Sequence, residues 1–317
     1  MGSKSIREAY GEALVELGGI NDQVVVLDAD VSNSTRTIYF GQKFPDRFFN
    51  FGIAEANMMA AAAGMASCGK IPFVNTFSFL ATWRAGDPIR SLIAYNGFNV
   101  KIAGAYSGLS DGRDGASHQS ICDLALMRAL PNMTVVVVAD AVETQMAVRK
   151  VAQYPGPVFL RLSRAEVPTI FDFKHKFEIG RGNLLNEGSD VTIVASGYMV
   201  HKAMEAIKKL AENKISAELI EIHTLKPLDR ELIVVSSRKT GAVVTVEEHS
   251  IIGGLGSAVS EALAQCRPTP IEFIGIKDTF AESGDYEELL GKYGLDVDHI
   301  VAAVNRVIEK KERMKYA

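Results

Sequence analysis

Cysteine is scarce in this sequence. Cys68, Cys122 and Cys266 are odd in number and far apart, with no CxxC. That usage argues against a disulfide framework or a zinc site and favours a reducing compartment. Charge of one sign is not concentrated anywhere. The 34 basic and 38 acidic residues leave a formal net charge of -4, and no run of five like charges occurs. This argues against nucleic acid as a principal partner. A small anionic substrate stays open, because it needs only a few local Arg or His. No apolar run approaches the roughly 18 residues of a membrane span. The first 19 residues scatter Lys4, Arg7, Glu8 and Glu12 where a signal peptide needs an apolar core. Position 6 is Ile, which breaks the myristoylation pattern. The expectation is a cytoplasmic protein.

Several chemical motifs are also absent. The six histidines never stand at i, i+4, and no HExxH occurs. His249 beside Glu247 and Glu248 reads as a polar turn after the VVTV strand rather than as a metal site. IIGGLGSAVSEAL (251–263) fits neither G-x-G-x-x-G nor the P-loop, and reads as a tight turn before a packed helix. No G-D-G is followed about 25 to 30 residues later by Asn. Asp111-Gly112 and Asp114-Gly115 share one loop, and Asn132 is too close to serve.

What is present is an ordinary globular composition, 47% hydrophobic and 23% charged over 317 residues. That length suits about two domains. Strands are expected at 24–27, 47–51, 71–77, 99–105, 134–138 and 157–162, alternating with helices at 5–17, 54–66, 84–95, 121–130 and 141–152. The segment 32–36 (SNSTR) reads as a loop. After a looser stretch the alternation resumes, with strands at 191–196, 217–222, 242–246 and 271–276 and helices at 200–212, 230–237, 256–265 and 298–314. Such alternation implies parallel sheets covered on both faces. The boundaries are read as 1–166, a linker at 167–188, and 189–317.

Two stretches carry candidate chemistry. FGIAEANMMAAAAGMA (51–66) places one carboxylate, Glu55, at the first turn of a helix that is apolar on nearly every face. Such a helix is expected to be buried. A buried carboxylate there either compensates the helix dipole or is held out of water for chemistry. YSGLSDGRDGASHQ (106–119) is a long Gly/Ser/Asp loop inside a compact domain, and such loops are usually functional. His118 ends it, where anions and hydroxyls could be held. Arg164 follows the strand at 157–162, and ligands in parallel sheets sit beyond the carboxyl ends of strands. It is a candidate for a phosphate or carboxylate, or else makes a surface salt bridge.

FGIAEANMMAAAAGMA, TFSFLATWRAG (76–86), GRDGASHQ (112–119) and LSR (162–164) stand in the order and spacing of the C-terminal half of transketolase. An SNSTR loop after a VVVLDAD strand adds to the match. The sequence resembles that half along essentially its whole length. The resemblance implies an α/β chain of two parallel-sheet domains, a pyrimidine-binding thiamine diphosphate fold followed by a smaller transketolase C-terminal domain. It implies that Glu55 bonds N1′ of the cofactor's aminopyrimidine, favouring the 4′-imino form that removes the thiazolium C2 proton. Burial would help such a carboxyl share a proton. Phe77, Leu80, Trp83 and Asp30 are implied in cofactor binding. Leu80 and Trp83 depart from the aromatic and the Tyr usual there.

By the same matching, His118 and Asp114 contact sugar hydroxyls, with His118 also catalytic. Arg164, Arg7 and Ser32 bind the substrate phosphate. Tyr106 stands where many transketolases carry a substrate-contacting His. The G-D-G…N motif belongs to the family's N-terminal half and is missing. The resemblance therefore implies a split transketolase, with diphosphate and Mg2+ held on a partner chain in an α2β2 assembly, and no metal ligands here. The implied reaction is transfer of a two-carbon ketol unit from a ketose phosphate to an aldose. The alternatives are the β subunit of a 2-oxoacid dehydrogenase E1 component, which resembles its relatives in a different, His-rich loop, a deoxyxylulose-phosphate-synthase-like condensation, and a non-enzymatic scaffolding or regulatory partner.

Overall fold

The β-branched run VVVLD forms Val24–Asp28, buried at all five positions and flanked on each side by another strand. This is the pattern of a central parallel strand covered on both faces. The computed structural model describes residues 3–315 of the chain. Val24–Asp28 belongs to a seven-stranded sheet, in the spatial order Thr224–Lys226, Thr134–Val137, Val158–Arg161, Lys101–Ala105, Ile71–Phe77, Val24–Asp28, Phe48–Asn50. Every neighbouring pair is parallel except the first. Helices Ile6–Ile20 and Ala141–Gln153 pack together on one face, burying Ile6, Tyr10, Leu14, Val148 and Val151. Helix Glu55–Ser67 packs on the other with Met58, Met59 and Ala62.

A five-stranded sheet follows, in the order Ile271–Ile276, Val243–Ser250, Val191–Ala195, Ala217–Glu221, Asn183–Asn186. Only its last pair is antiparallel. The fold is therefore the expected α/β class, with the second sheet the smaller. The long helix Val297–Lys315 packs over it with Met199–Glu212. Among the described residues no helix is long and apolar enough to cross a membrane.

Several elements differ from the sequence expectation, each for a physical reason. SNSTR is not a loop, because Ser32–Thr35 closes one helical turn. Buried Asp28 drives this by accepting hydrogen bonds from the Val31 N–H (2.7 Å) and the Thr35 and Thr37 hydroxyls (2.9 and 2.7 Å). The helix expected over 84–95 is wound as two π-helical segments, Leu80–Arg84 and Ile89–Ala94, around a short α turn at Gly86–Pro88. Pro88 has no N–H to give an α ladder. The linker is not irregular throughout. Glu166–Pro168 pairs antiparallel with Ser3–Ser5, and Asn183–Asn186 joins the second sheet.

The turn expected at His249 is instead strand, because Val243–Ser250 runs on through the whole EEHS sequence. Its polar groups are absorbed internally. Glu247 accepts from the Leu255 and Gly256 N–H groups (2.6 and 2.8 Å), capping the helix Leu255–Cys266, and His249 Nδ1 lies 2.7 Å from the Ser250 carbonyl.

A buried cation, Arg161, bridges the two sheets, and the partly buried Arg128 adds a second link by donating to the Gly253 and Gly254 carbonyls. Arg161, 4% exposed, donates through Nε and Nη2 to both oxygens of Asp123 (2.7 and 3.2 Å). The same Nη2 reaches the Ser120 carbonyl and the Glu248 carbonyl on the second sheet, each at 3.0 Å. Burial by itself raises the Asp123 carboxyl, but the charge and hydrogen bonds of Arg161 outweigh it and hold Asp123 below its ordinary value. Arg161→Met would leave Asp123 buried and unpaired, at a cost of about 3–5 kcal/mol. Urea unfolding at neutral pH checks this, and a variant within about 1 kcal/mol of the parent would contradict it. Since the folded value of Asp123 is depressed, the pair's contribution is intact above the ordinary carboxylate range and lost as pH falls through the folded value.

Candidate active site

The carboxyl ends of the parallel strands lie together along one edge of the larger sheet. Val24–Asp28 leads into Asp30 and Ser32, Ile71–Phe77 ends on Phe77, Lys101–Ala105 delivers Tyr106, and Val158–Arg161 leads to Arg164. Loops there are the usual ligand-binding elements of open α/β sheets.

Tyr106 organises the first cluster. Its backbone is left-handed, with φ at 57°, which holds the ring back over the sheet end. The ring stacks on Phe77 with centroids 4.8 Å apart and an interplanar angle of 23°. Its hydroxyl accepts from Arg7 Nη1 at 2.7 Å. The guanidinium carbons of Arg164 and Arg7 stand 5.0 and 5.8 Å from the ring centroid, within cation–π range. Arg7 Nη1 also approaches the Ser34 carbonyl at 3.4 Å, tying in the turn that Ser32 begins. Arg164 Nη1 donates to buried Asp111 Oδ1 at 2.7 Å. Burial raises the Asp111 carboxyl and the nearby charge of Asp114 adds to this, while Arg164 opposes both. Asp114 itself is exposed on the same loop. His118 closes the group, with its ring 5.2 Å from Phe79 and 6.0 Å from Phe77 and its Nδ1 3.0 Å from the Ser117 hydroxyl.

Glu55 forms a second group. It is the first residue of Glu55–Ser67, and the buried positions Glu55, Met58, Met59, Ala62 and Ala63 trace one helical face. The opposite face is not buried, contrary to expectation. Ala56, Asn57 and Gly64 are exposed, and Ile53 just before the helix is 75% exposed. An all-round apolar helix needs a cover on both sides, and this chain provides one. Glu55 is 3% exposed, with Oε2 3.8 Å from Arg84 Nη1 and with Oε1 buried and lacking a hydrogen-bond partner. Asp30 lies on the rim at φ 64°, in a two-way hydrogen bond with Asn50 at 3.0 and 3.1 Å.

Arg7, Phe77, Tyr106, His118 and Arg164 are thus brought together, with Ser32 and Asp114 beside them. Leu80 and Trp83 are divided. Leu80 is 9% exposed inside the domain, whereas Trp83 is 63% exposed on the π-helical turn that also carries Arg84. Phe79, Asp111 and Arg84 complete the two groups without a sequence signal of comparable strength. Phe79 alternates with Phe77, the one pattern that could have flagged it. Asp111 gives only an Asp-Gly pair in a loop.

Two family models match the chain, the transketolase pyrimidine-binding domain over 3–169 and the transketolase C-terminal domain over 180–300. A curated protein of Methanocaldococcus jannaschii, described as a transketolase C-terminal section, is 46% identical over 97% of this chain and 98% of its own. The 6-deoxy-6-sulfo-D-fructose transketolase subunit of a Clostridium species is 40% identical over 96% of this chain and 95% of its own. Among solved structures, a split-gene transketolase described as an inactive beta4 tetramer is 52% identical, covering 98% of this chain and 100% of its own with a TM-score of 0.90. With the two models spanning most of its length, and relatives this similar aligned from end to end, the chain belongs to the transketolase family.

Proposed function

We propose that this chain is the pyrimidine-binding subunit of a two-chain transketolase. Together with a partner it transfers a two-carbon ketol unit from a ketose phosphate to an aldose. The observation that carries the reading is Glu55, a buried carboxylate whose Oε1 has no partner and whose helix presents an uncovered face. Buried polar atoms are ordinarily satisfied, so an orphan beside an open surface marks a place for a further group. A pyrimidine nitrogen supplies what Oε1 lacks, and the residues fit that group.

Thiamine diphosphate, when bound, supplies the carbon nucleophile that opens the C2–C3 bond of the ketose. The rest falls to the protein. Glu55 holds a proton at the pyrimidine nitrogen, kept from water by its burial. Phe77, Leu80, Trp83 and Asp30 are proposed to frame the ring, with Phe77 propped from behind by Tyr106. His118 and Asp114 meet sugar hydroxyls, and His118 can pass a proton there. Arg7, Arg164 and Ser32 hold the phosphate. A phosphate entering there must draw Arg164 away from Asp111 or share it, so the pair sets how strongly the anion is bound. Tyr106 fixes Arg7 at the proposed phosphate position and stands where many transketolases carry a substrate-contacting His, which makes it a proposed determinant of sugar choice.

The uncovered apolar surface supports a second polypeptide. Ile53, Trp83, Leu92 and Tyr95 are 75, 63, 40 and 82% exposed and lie before, on and after the elements that carry Glu55 and Arg84. A soluble chain rarely exposes such a surface unless it meets a partner. The partner is proposed to carry the G-D-G…N motif and with it Mg2+ and the diphosphate, in an α2β2 assembly. The inactive tetramer made by the similar split-gene chain fits a subunit that lacks half of its site. The exposed thiols of Cys68 and Cys266, both unbridged, suit a reducing cytoplasm.

Two measurements test the assignment with the partner present. Glu55→Gln should lower kcat by about 10²–10⁴-fold while leaving circular dichroism and assembly unchanged. A wild-type rate removes Glu55 from the mechanism. Arg164→Ala should raise KM for phosphorylated sugars about tenfold or more while leaving unphosphorylated sugars near their parent value. Equal effects on both would place Arg164 away from the phosphate.

A further inference from the structure

A second set of buried polar groups lies where the two sheets meet, apart from the candidate active site. Glu143 stands in the first turn of Ala141–Gln153, Glu221 ends the strand Ala217–Glu221, and His223 follows two residues later. All three are at most 1% exposed. One oxygen of each carboxylate is accounted for. Glu143 Oε2 accepts from the Ala139 N–H at 2.6 Å, and Glu221 Oε2 accepts from Asn183 Nδ2 at 2.7 Å. The other oxygen of each, Oε1, is buried with no donor, and the two carboxylates face each other closely enough to hydrogen-bond through a shared proton. One ligand atom from each of Glu143, Glu221 and His223 lies within 4.8 Å of the other two.

We propose that Glu143, Glu221 and His223 form a buried site for one divalent cation of mixed nitrogen and oxygen preference, zinc or manganese, which fastens the two halves of the chain together. Two carboxylates and an imidazole are a donor set that both ions accept. Ligand distances of about 2.0–2.2 Å place donors roughly 3–3.6 Å apart, so from spacings of up to 4.8 Å the side chains would close by as much as about 1 Å or more. The surroundings already orient the donors. Asn183 and the Ala139 N–H fix one oxygen of each carboxylate, the role outer-shell partners play in metal sites. Neighbouring Asp140 is excluded as a ligand, because its two oxygens already accept from the Glu143, Ile170 and Phe171 N–H groups.

His223 packs on Phe177 with ring centroids 4.1 Å apart and hydrogen-bonds the Thr224 hydroxyl through Nδ1 at 2.8 Å. His175 Nε2 on the connecting segment is also buried without a partner, but it stands outside the group of mutually close donor atoms. A cleft of about 490 Å³ lined by Met146, Arg149, Lys150, His175, Lys176 and Phe177 opens beside that segment, and since none of the three ligands lines it, cation entry requires local opening.

The test uses the full chain, stripped with chelator and carrying Cys68→Ser and Cys266→Ser so that surface thiols take up no zinc. Zn2+ and Mn2+ are titrated separately by calorimetry, with electron paramagnetic resonance for Mn2+ and thermal unfolding in parallel. The site predicts stoichiometric uptake of at least one of the two ions and a higher Tm in the loaded chain. Glu143→Gln, whose amide NH2 can donate to the free Glu221 oxygen while its own oxygen still accepts from the Ala139 N–H, should fold and bind about 100-fold more weakly or not at all. His223→Gln should shift binding the same way and serves if Glu143→Gln is unstable. Absence of stoichiometric uptake by the parent chain overturns the site in favour of a shared proton. Uptake that His223→Gln and the folded Glu143→Gln variant leave unchanged overturns it as well.

Discussion

One guanidinium holds the arrangement together. Arg161 ends a strand of the larger sheet, neutralises Asp123 at the head of the helix Asp123–Ala129, and reaches the Glu248 carbonyl on the smaller sheet. Glu248 in turn accepts from the Leu109 N–H at 2.6 Å, so the start of the long loop is tied to the same point. The approach is close enough that a Cβ at Gly108, which has φ at 65°, would stand 2.3 Å from the Glu248 carboxyl carbon. Only glycine fits there. An ion pair this deep adds little net stability over well-packed apolar residues, yet it is costly to break. Its value lies in register. It sets Tyr106, Asp111 and His118 at fixed positions over the strand ends.

The loop is therefore rigid at its base, and the sugar-binding candidates inherit that rigidity. Phe77, Tyr106 and the two arginines form a stacked layer whose order follows from quadrupole and cation preferences. Glu55 is held differently. Its helix is anchored on one face by Met58, Met59 and Ala62 and left bare on the other, so the carboxylate sits at a seam rather than in a closed pocket. A seam is what a shared site requires. Neither side alone can exclude water from a cofactor placed there.

Much of this was legible from the residues because the signals were local. Ile71–Phe77 coincides with the expected strand, since its apolar run and flanking breakers are properties of seven adjacent residues. The Gly-rich segment before Leu255–Cys266 is the turn it was read to be. Thr224–Lys226 was not legible, because its partner strand Thr134–Val137 is some 90 residues earlier and no pattern encodes that pairing. The helical turn at Ser32 depends on Asp28 reaching forward from a strand end. The buried faces of Glu143 and Glu221 were hidden for the same reason, since each lies in an ordinary amphipathic or strand context until the two halves meet. The bare face of the Glu55 helix was also invisible. A sequence shows that a helix wants cover all round, but not which molecule supplies it.

The central claim is that the cofactor site is divided between two polypeptides. Its most direct test is calorimetric titration of thiamine diphosphate in the presence of Mg2+, first into the purified chain and then into the chain mixed with the subunit carrying the G-D-G…N motif. The account predicts no tight binding by the chain alone and saturable, Mg2+-dependent binding by the mixture. Tight, Mg2+-dependent binding by the chain alone would contradict it.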